Sequence, residues 1–229
     1  MGSAAENEFE YTVYTEHELE HFTQRYSWDC GVACVTMLLD PAQRQELLDN
    51  FEQICEEEGF GQITWTIDLC YLLKKFEVPH CMHTTMLGVN EAHRKHNYYR
   101  NIIDKDRLRV SQRFDSANAA GIELVEGHLP MDAIVRHLRH GPVLLLIDAG
   151  LLSCDLCKHN KLKADFRRCF GGSFTGHFVL LVGVRRNKLL YRDPALRPRT
   201  CATSIARMER ARAPPTDRDV ILVYKEYRR

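Results

Sequence analysis

The stretch Gln24-Arg25-Tyr26-Ser27-Trp28-Asp29-Cys30-Gly31-Val32-Ala33-Cys34 decides how this chain is read. Polar and turn-forming residues give way at Asp29 to a run of small apolar ones, so a helix is expected to begin at Cys30. Asp29 suits the capping position, which puts Cys30 in the first helical turn. There the positive end of the helix dipole favours a thiolate over a thiol. Asp29 works against this, because an adjacent anion disfavours a second one. A nearby imidazolium would offset it. Gly31 lets another backbone or a substrate come close. Gln24, six residues before Cys30, offers a side-chain amide that can donate to the oxyanion of a tetrahedral intermediate.

Two later segments supply the rest of such a site. Gly176-His177-Phe178-Val179-Leu180-Leu181-Val182-Gly183 is an apolar strand opened by a histidine. A base there would take the thiol proton and later protonate the leaving group. Leu190-Tyr191-Arg192-Asp193-Pro194-Ala195 ends the next strand in Asp193. Adjacent antiparallel strands bring such ends within hydrogen-bond reach. A carboxylate on the far ring nitrogen fixes the tautomer and stabilises the imidazolium. Taken singly, each piece has a plain structural reading: a buried thiol, a strand-edge histidine, an Asp-Pro turn.

The rest of the chain reads as helices first and strands later. Helical spacing is expected over residues 30–39, 42–58, 66–76, 91–119 and 130–140. Strands are expected over 78–85, 122–125, 143–147, 177–184, 188–192 and 220–224. This order predicts an α+β domain with a mostly antiparallel sheet. Residues 1–20 are expected to form a flexible arm and 21–229 a single domain. The connection over 149–176 lacks an apolar period. A loop that long is seldom idle, and it is expected to overhang His177.

Several function classes are disfavoured. The 229 residues carry a formal net charge of zero, which gives no electrostatic case for nucleic acid or an anionic membrane. The basic runs over 107–113 and 207–212 are read as solvated helix faces. The first ten residues lack the basic and apolar regions expected of a secretory signal, and Glu6 stands where a myristoylation motif needs Ser or Thr. A cytoplasmic or nuclear location is expected. Nine cysteines without a signal peptide point to reduced thiols. Cys34, one turn after Cys30, is expected in the core. Cys154-x2-Cys157, followed by His159 and Cys169, has elements of a zinc site, but its second pair is incomplete. Loop thiols are the preferred reading and no metal ligand is assigned. His80, Cys81 and His83 alternate faces of a strand and cannot converge on one ion. Trp28 and Trp65 are read as core or groove wall.

The Gln–x5–Cys-Gly helix start, the Gly-His-Phe strand and the Asp-Pro after the next strand resemble the papain-like superfamily, most closely its C39-like peptidase group. Over nearly its whole length the chain also resembles the guanylyl cyclase domain-containing protein 1 family. The first resemblance implies Cys30 as nucleophile, His177 as base, Asp193 as its orienter and Gln24 in the oxyanion hole. Such an enzyme would act on a peptide or protein substrate and need no cofactor. The second resemblance implies conversion of GTP to cyclic GMP. That reaction usually relies on metal ions held by carboxylates. The sequence shows no Gly-rich phosphate loop, and Asp148, which closes an apolar strand, is one carboxylate rather than a pair. A silent domain that binds a protein in the same groove is the non-enzymatic alternative.

Overall fold

The computed structural model describes residues 15–59, 63–89, 97–162, 164–165 and 174–225. In chain order the elements are β1 (Thr15–Glu16), α1 (Cys30–Leu38), α2 (Pro41–Asp49), α3 (Phe51–Glu58), α4 (Thr66–Lys75), β2 (His80–Thr84), α5 (Asn97–Ser116) and β3 (Glu123–Glu126). There follow α6 (Met131–His137), β4 (Val143–Asp148), β5 (Gly176–Arg185), β6 (Lys188–Arg192), β7 (Cys201–Ser204), α7 (Ile205–Ala211) and β8 (Val220–Val223). The fold is α+β. Its sheet has the order β3-β2-β8-β4-β5-β6-β7, with β1 added on β5. The pairings are antiparallel except β2 with β3, which are parallel. The long helix α5 makes the crossover that a parallel pair requires.

The uninterrupted apolar runs of β4, β5 and β8 lie together in the middle of the sheet because both of its faces are covered. Along β5, Phe178, Leu180 and Val182 enter one core with residues of α1, α3 and α4. Val179, Leu181 and Val184 enter a second core with residues of α6 and α7.

α1 lies directly on the sheet. A Cβ on Gly31 would come 2.7 Å from Leu69 Cδ1 of α4 and 3.0 Å from the Phe178 ring of β5. The glycine therefore allows the close approach that seats Cys30 over the start of β5. Gly31→Ala is expected to cost about 1–3 kcal/mol of stability through overpacking. A urea midpoint equal to that of the wild type would show that Leu69 simply swings aside.

Four expectations need correction. The helix read over 42–58 is two helices, broken at Asn50, whose φ of −109° and ψ of 22° are not helical. Its side-chain amide caps the Glu46 carbonyl. Part of the expected flexible arm is structured. β1 pairs Thr15 and Glu16 with Val184 and Gly183, and His17 Nε2 contacts the Leu138 carbonyl at 2.8 Å. Residues 1–14 lie outside the described residues. The basic runs are not simply solvated faces, since Arg212 is fully buried and donates to the Leu129 carbonyl and the Glu209 carboxylate. Arg109 and Arg113 both grip Asp68. Finally, Asp29 precedes α1 but does not cap it with its side chain.

Candidate active site

The site lies at the end of the sheet where β5 begins. Asp29 shapes the approach to it. Its buried carboxylate turns backwards and accepts the backbone N–H groups of Arg25 and Tyr26, at 3.0 and 2.9 Å. That holds the 25–28 loop in a tight turn and leaves the first-turn N–H groups of α1 without a side-chain cap. The Gln24 backbone N–H bonds the Pro194 carbonyl at 2.9 Å. The segment before Cys30 is thereby fastened to the turn that carries Asp193.

His177 stands between the other two members. Its Nε2 pairs with Asp193 Oδ1 at 2.8 Å. The Cys30 side chain also interacts with the ring and favours its charged form. Asp193 lies one residue past β6, and its carboxylate also accepts the Ala195 N–H at 3.0 Å. Burial alone would push the His177 imidazolium down. Hydrogen bonds and charge interactions with Asp193 and Cys30 outweigh that and raise it to about 10. Burial would raise Asp193, but its bond to His177 and the imidazolium charge hold it below the usual carboxylate range. Cys34 is fully buried, and burial pushes its thiol well up. It is a core residue.

Gln24 is placed differently. Its Nε2 donates to the Tyr26 carbonyl at 2.7 Å, and its Oε1 is buried without a hydrogen-bond partner. It lines neither of the two clefts that meet at Gly176. One cleft runs past Cys30 between Trp28, Trp65 and Phe178, with Asp217 and Asp219 on its wall. The two tryptophans are therefore groove wall. The other holds His177 and Asp193 beside Leu152, His159 and Asn160. The long loop after β4 thus does border the histidine. Asp148 closes that loop by accepting the N–H groups of Gly150 and Thr175.

The family of the chain can now be given. A family model described as "Guanylylate cyclase" matches residues 19–223, a span that holds every residue of this site. The chain belongs to that guanylyl cyclase family. Within the family, "Guanylyl cyclase 1" of Arabidopsis thaliana is 28% identical over 221 residues, covering 91% of this chain and 76% of the relative. No solved structure matches the chain. Among the described residues of this family member, no helix is long and apolar enough to cross a membrane.

The reading of the loop thiols also changes. The sulfur atoms of Cys154, Cys157 and Cys201 lie within 4.8 Å of one another. Cys201, at the start of β7, carried no signal in the sequence, because it lies 44 residues from Cys157. The His159 carbonyl accepts the Cys154 N–H, but its ring is not one of the clustered groups. Cys169 lies outside the described residues. His80, Cys81 and His83 form no such cluster.

Proposed function

We propose that this chain is a thiol-dependent acyl hydrolase or acyl transferase of papain-like fold, acting on a peptide, isopeptide or thioester carbonyl. The observation that carries the proposal is His177, bonded to Asp193 and near enough to Cys30 for the two to interact. In this reading the Cys30 sulfur attacks the carbonyl carbon while His177 accepts its proton. The uncapped N–H groups at the start of α1 hold the oxyanion. Gln24 joins them if its amide leaves the Tyr26 carbonyl. The intermediate collapses, the C–N or C–S bond breaks, and His177 protonates the departing group. Water then attacks the thioester and gives His177 a proton, and Cys30 leaves. No cofactor is needed.

The test is selective alkylation. With a chelator present, so that no bound metal masks a thiol, iodoacetamide at neutral pH should modify Cys30 at least about tenfold faster than the other cysteines. Cys157 is the informative comparison, being exposed where Cys30 is buried. If labelling follows exposure and Cys157 reacts first, Cys30 is an ordinary core thiol. A protein-binding module without catalysis would then fit the groove better.

The names of the family and of its Arabidopsis relative favour a second reading, cyclisation of GTP. Asp217 and Asp219, on the wall of the Cys30 cleft, are the carboxylates to test for it. Thr66 already donates a hydrogen bond to Asp219. Cyclic GMP formed from GTP and magnesium or manganese by Cys30→Ala as fast as by the wild type would favour this reading over the acyl one.

A further inference from the structure

We propose that Cys154, Cys157 and Cys201 form a binding site for a thiophilic divalent cation, zinc foremost, which clamps the loop after β4 to β7. This inference does not depend on the acyl-transfer reading.

The first argument is distance. In tetrahedral zinc with Zn–S bonds of about 2.3 Å, the sulfurs stand roughly 3.8 Å apart. Cys157 Sγ and Cys201 Sγ are 3.8 Å apart. All three sulfurs fall within 4.8 Å of one another, so small side-chain rotations would complete the triangle. The fourth position then belongs to water or a small ligand.

The second argument is the surroundings of the sulfurs. Cys154 Sγ accepts two backbone N–H groups, from Cys157 and from Ala202, each at 3.4 Å. One donor comes from the Cys-x2-Cys turn itself and the other from the residue after the third cysteine. Metal-bound thiolates are characteristically supported by such outer donors, which orient the ligand and stabilise its charge. A cysteine packed only as a small hydrophobe has no need of them.

The third argument is preorganisation. The loop is also tied to β7 by contacts of its own. The Asp155 N–H bonds the Ala202 carbonyl at 2.7 Å, and the Asp155 carboxylate pairs with Arg207 and Lys188 at 2.7 and 3.0 Å. Asn160 Nδ2 bonds the carbonyls of Ala149 and Leu152, both at 2.7 Å. Ligands brought together by independent contacts lose less freedom when the ion arrives. The same loop places Leu152, His159 and Asn160 along the His177 cleft. The ion would therefore fix one wall of that cleft.

The experiment uses the full chain carrying Cys30→Ala, so that the Cys30 thiol does not compete, expressed with zinc and purified under reductant. Elemental analysis should find one zinc per chain. Replacement by cobalt(II) should give intense sulfur-to-metal charge-transfer bands in the near ultraviolet. Cys157→Ser is the main variant, since Cys157 is exposed and its loss should spare the fold. It should lower zinc affinity at least about tenfold. Cys55→Ser, outside the cluster, should keep the full metal content. Substoichiometric zinc, or a cobalt spectrum without thiolate bands, would overturn the site. A Cys157–Cys201 disulfide found by mass spectrometry in protein kept under reductant would also overturn it, in favour of a redox pair.

Discussion

Under the acyl-transfer reading, His177→Ala is expected to slow the attack of Cys30 on an acyl substrate by about 10²–10⁴-fold, the usual worth of a positioned general acid–base. Asp193→Ala should also slow it, and in addition change its pH profile. The reason lies in the balance at the ring. Burial pushes His177 down, while Asp193 and Cys30 push it up to about 10. Without the carboxylate, burial is opposed by Cys30 alone, and the imidazolium is lost at lower pH. For the wild type, kcat/KM on an amide substrate should fall as pH rises through about 10, because the departing amine then finds no proton donor. In Asp193→Ala this alkaline limb should lie at lower pH. Alkylation of Cys30 involves no protonation of a leaving group and should show no such fall. Identical limbs in the two proteins would mean that Asp193 does not act through His177.

The same shift bears on stability. The folded chain holds the His177 proton more tightly than the unfolded chain, whose histidine titrates near 6.5. Between those values the folded state binds more protons, so stability falls as pH rises. The contribution is complete below about 6.5 and is lost by about 10. Asp193 has the opposite sign: its lowered carboxyl stabilises the fold above the ordinary aspartate range and ceases to do so in acid.

How much of this was legible in the sequence depended on local pattern. β4, β5 and β8 showed themselves as apolar runs because each is buried on both faces. Cys30, His177 and Asp193 could be singled out as candidates because each lies at or next to the start or end of a regular element. What the sequence hid was set by distant partners. Asn50 interrupts a helix whose apolar positions continue on the far side, so spacing alone does not report the break. Asp29 resembles a cap, but its neighbours Arg25 and Tyr26 offer better donors. Arg212 belongs to a run of charges, and nothing local says that its guanidinium is taken up by Leu129 and Glu209. Cys201 joins two loop cysteines only because β7 pairs beside β6 at the sheet edge. The parallel pairing of β2 with β3 depends on the course of α5, which no short-range pattern encodes.

The largest effect on folding should come from a residue outside the cleft. Asp68 is fully buried in the first turn of α4. Its carboxylate accepts the Trp65 N–H at 3.0 Å, two guanidinium bonds from Arg109 at 2.6 and 3.1 Å, and one from Arg113 at 2.9 Å. Asp68→Ala would leave both arginines, each largely shielded from water, facing one another across the vacated site. Glu58 and Asp106 would offset part of that charge, at 2.8 Å from Arg113 and 3.6 Å from Arg109. Removing one partner of a buried ionic cluster typically costs about 3–5 kcal/mol. Asp68→Asn keeps an acceptor for Trp65 but loses the charge, and should fall between the two. Urea midpoints measure the order directly. Because the carboxylate is buried, the difference should change little with added salt. A loss under about 1 kcal/mol in Asp68→Ala would show that solvent reaches the arginines readily. The consequence reaches the cleft as well. α4 carries Thr66 on the cleft wall and Leu69 under Gly31, so a loosened helix start frees the floor beneath Cys30. The folded fraction of Asp68→Ala should therefore alkylate Cys30 with less selectivity than the wild type. Wild-type selectivity at reduced stability would instead show that the cluster supports the fold alone.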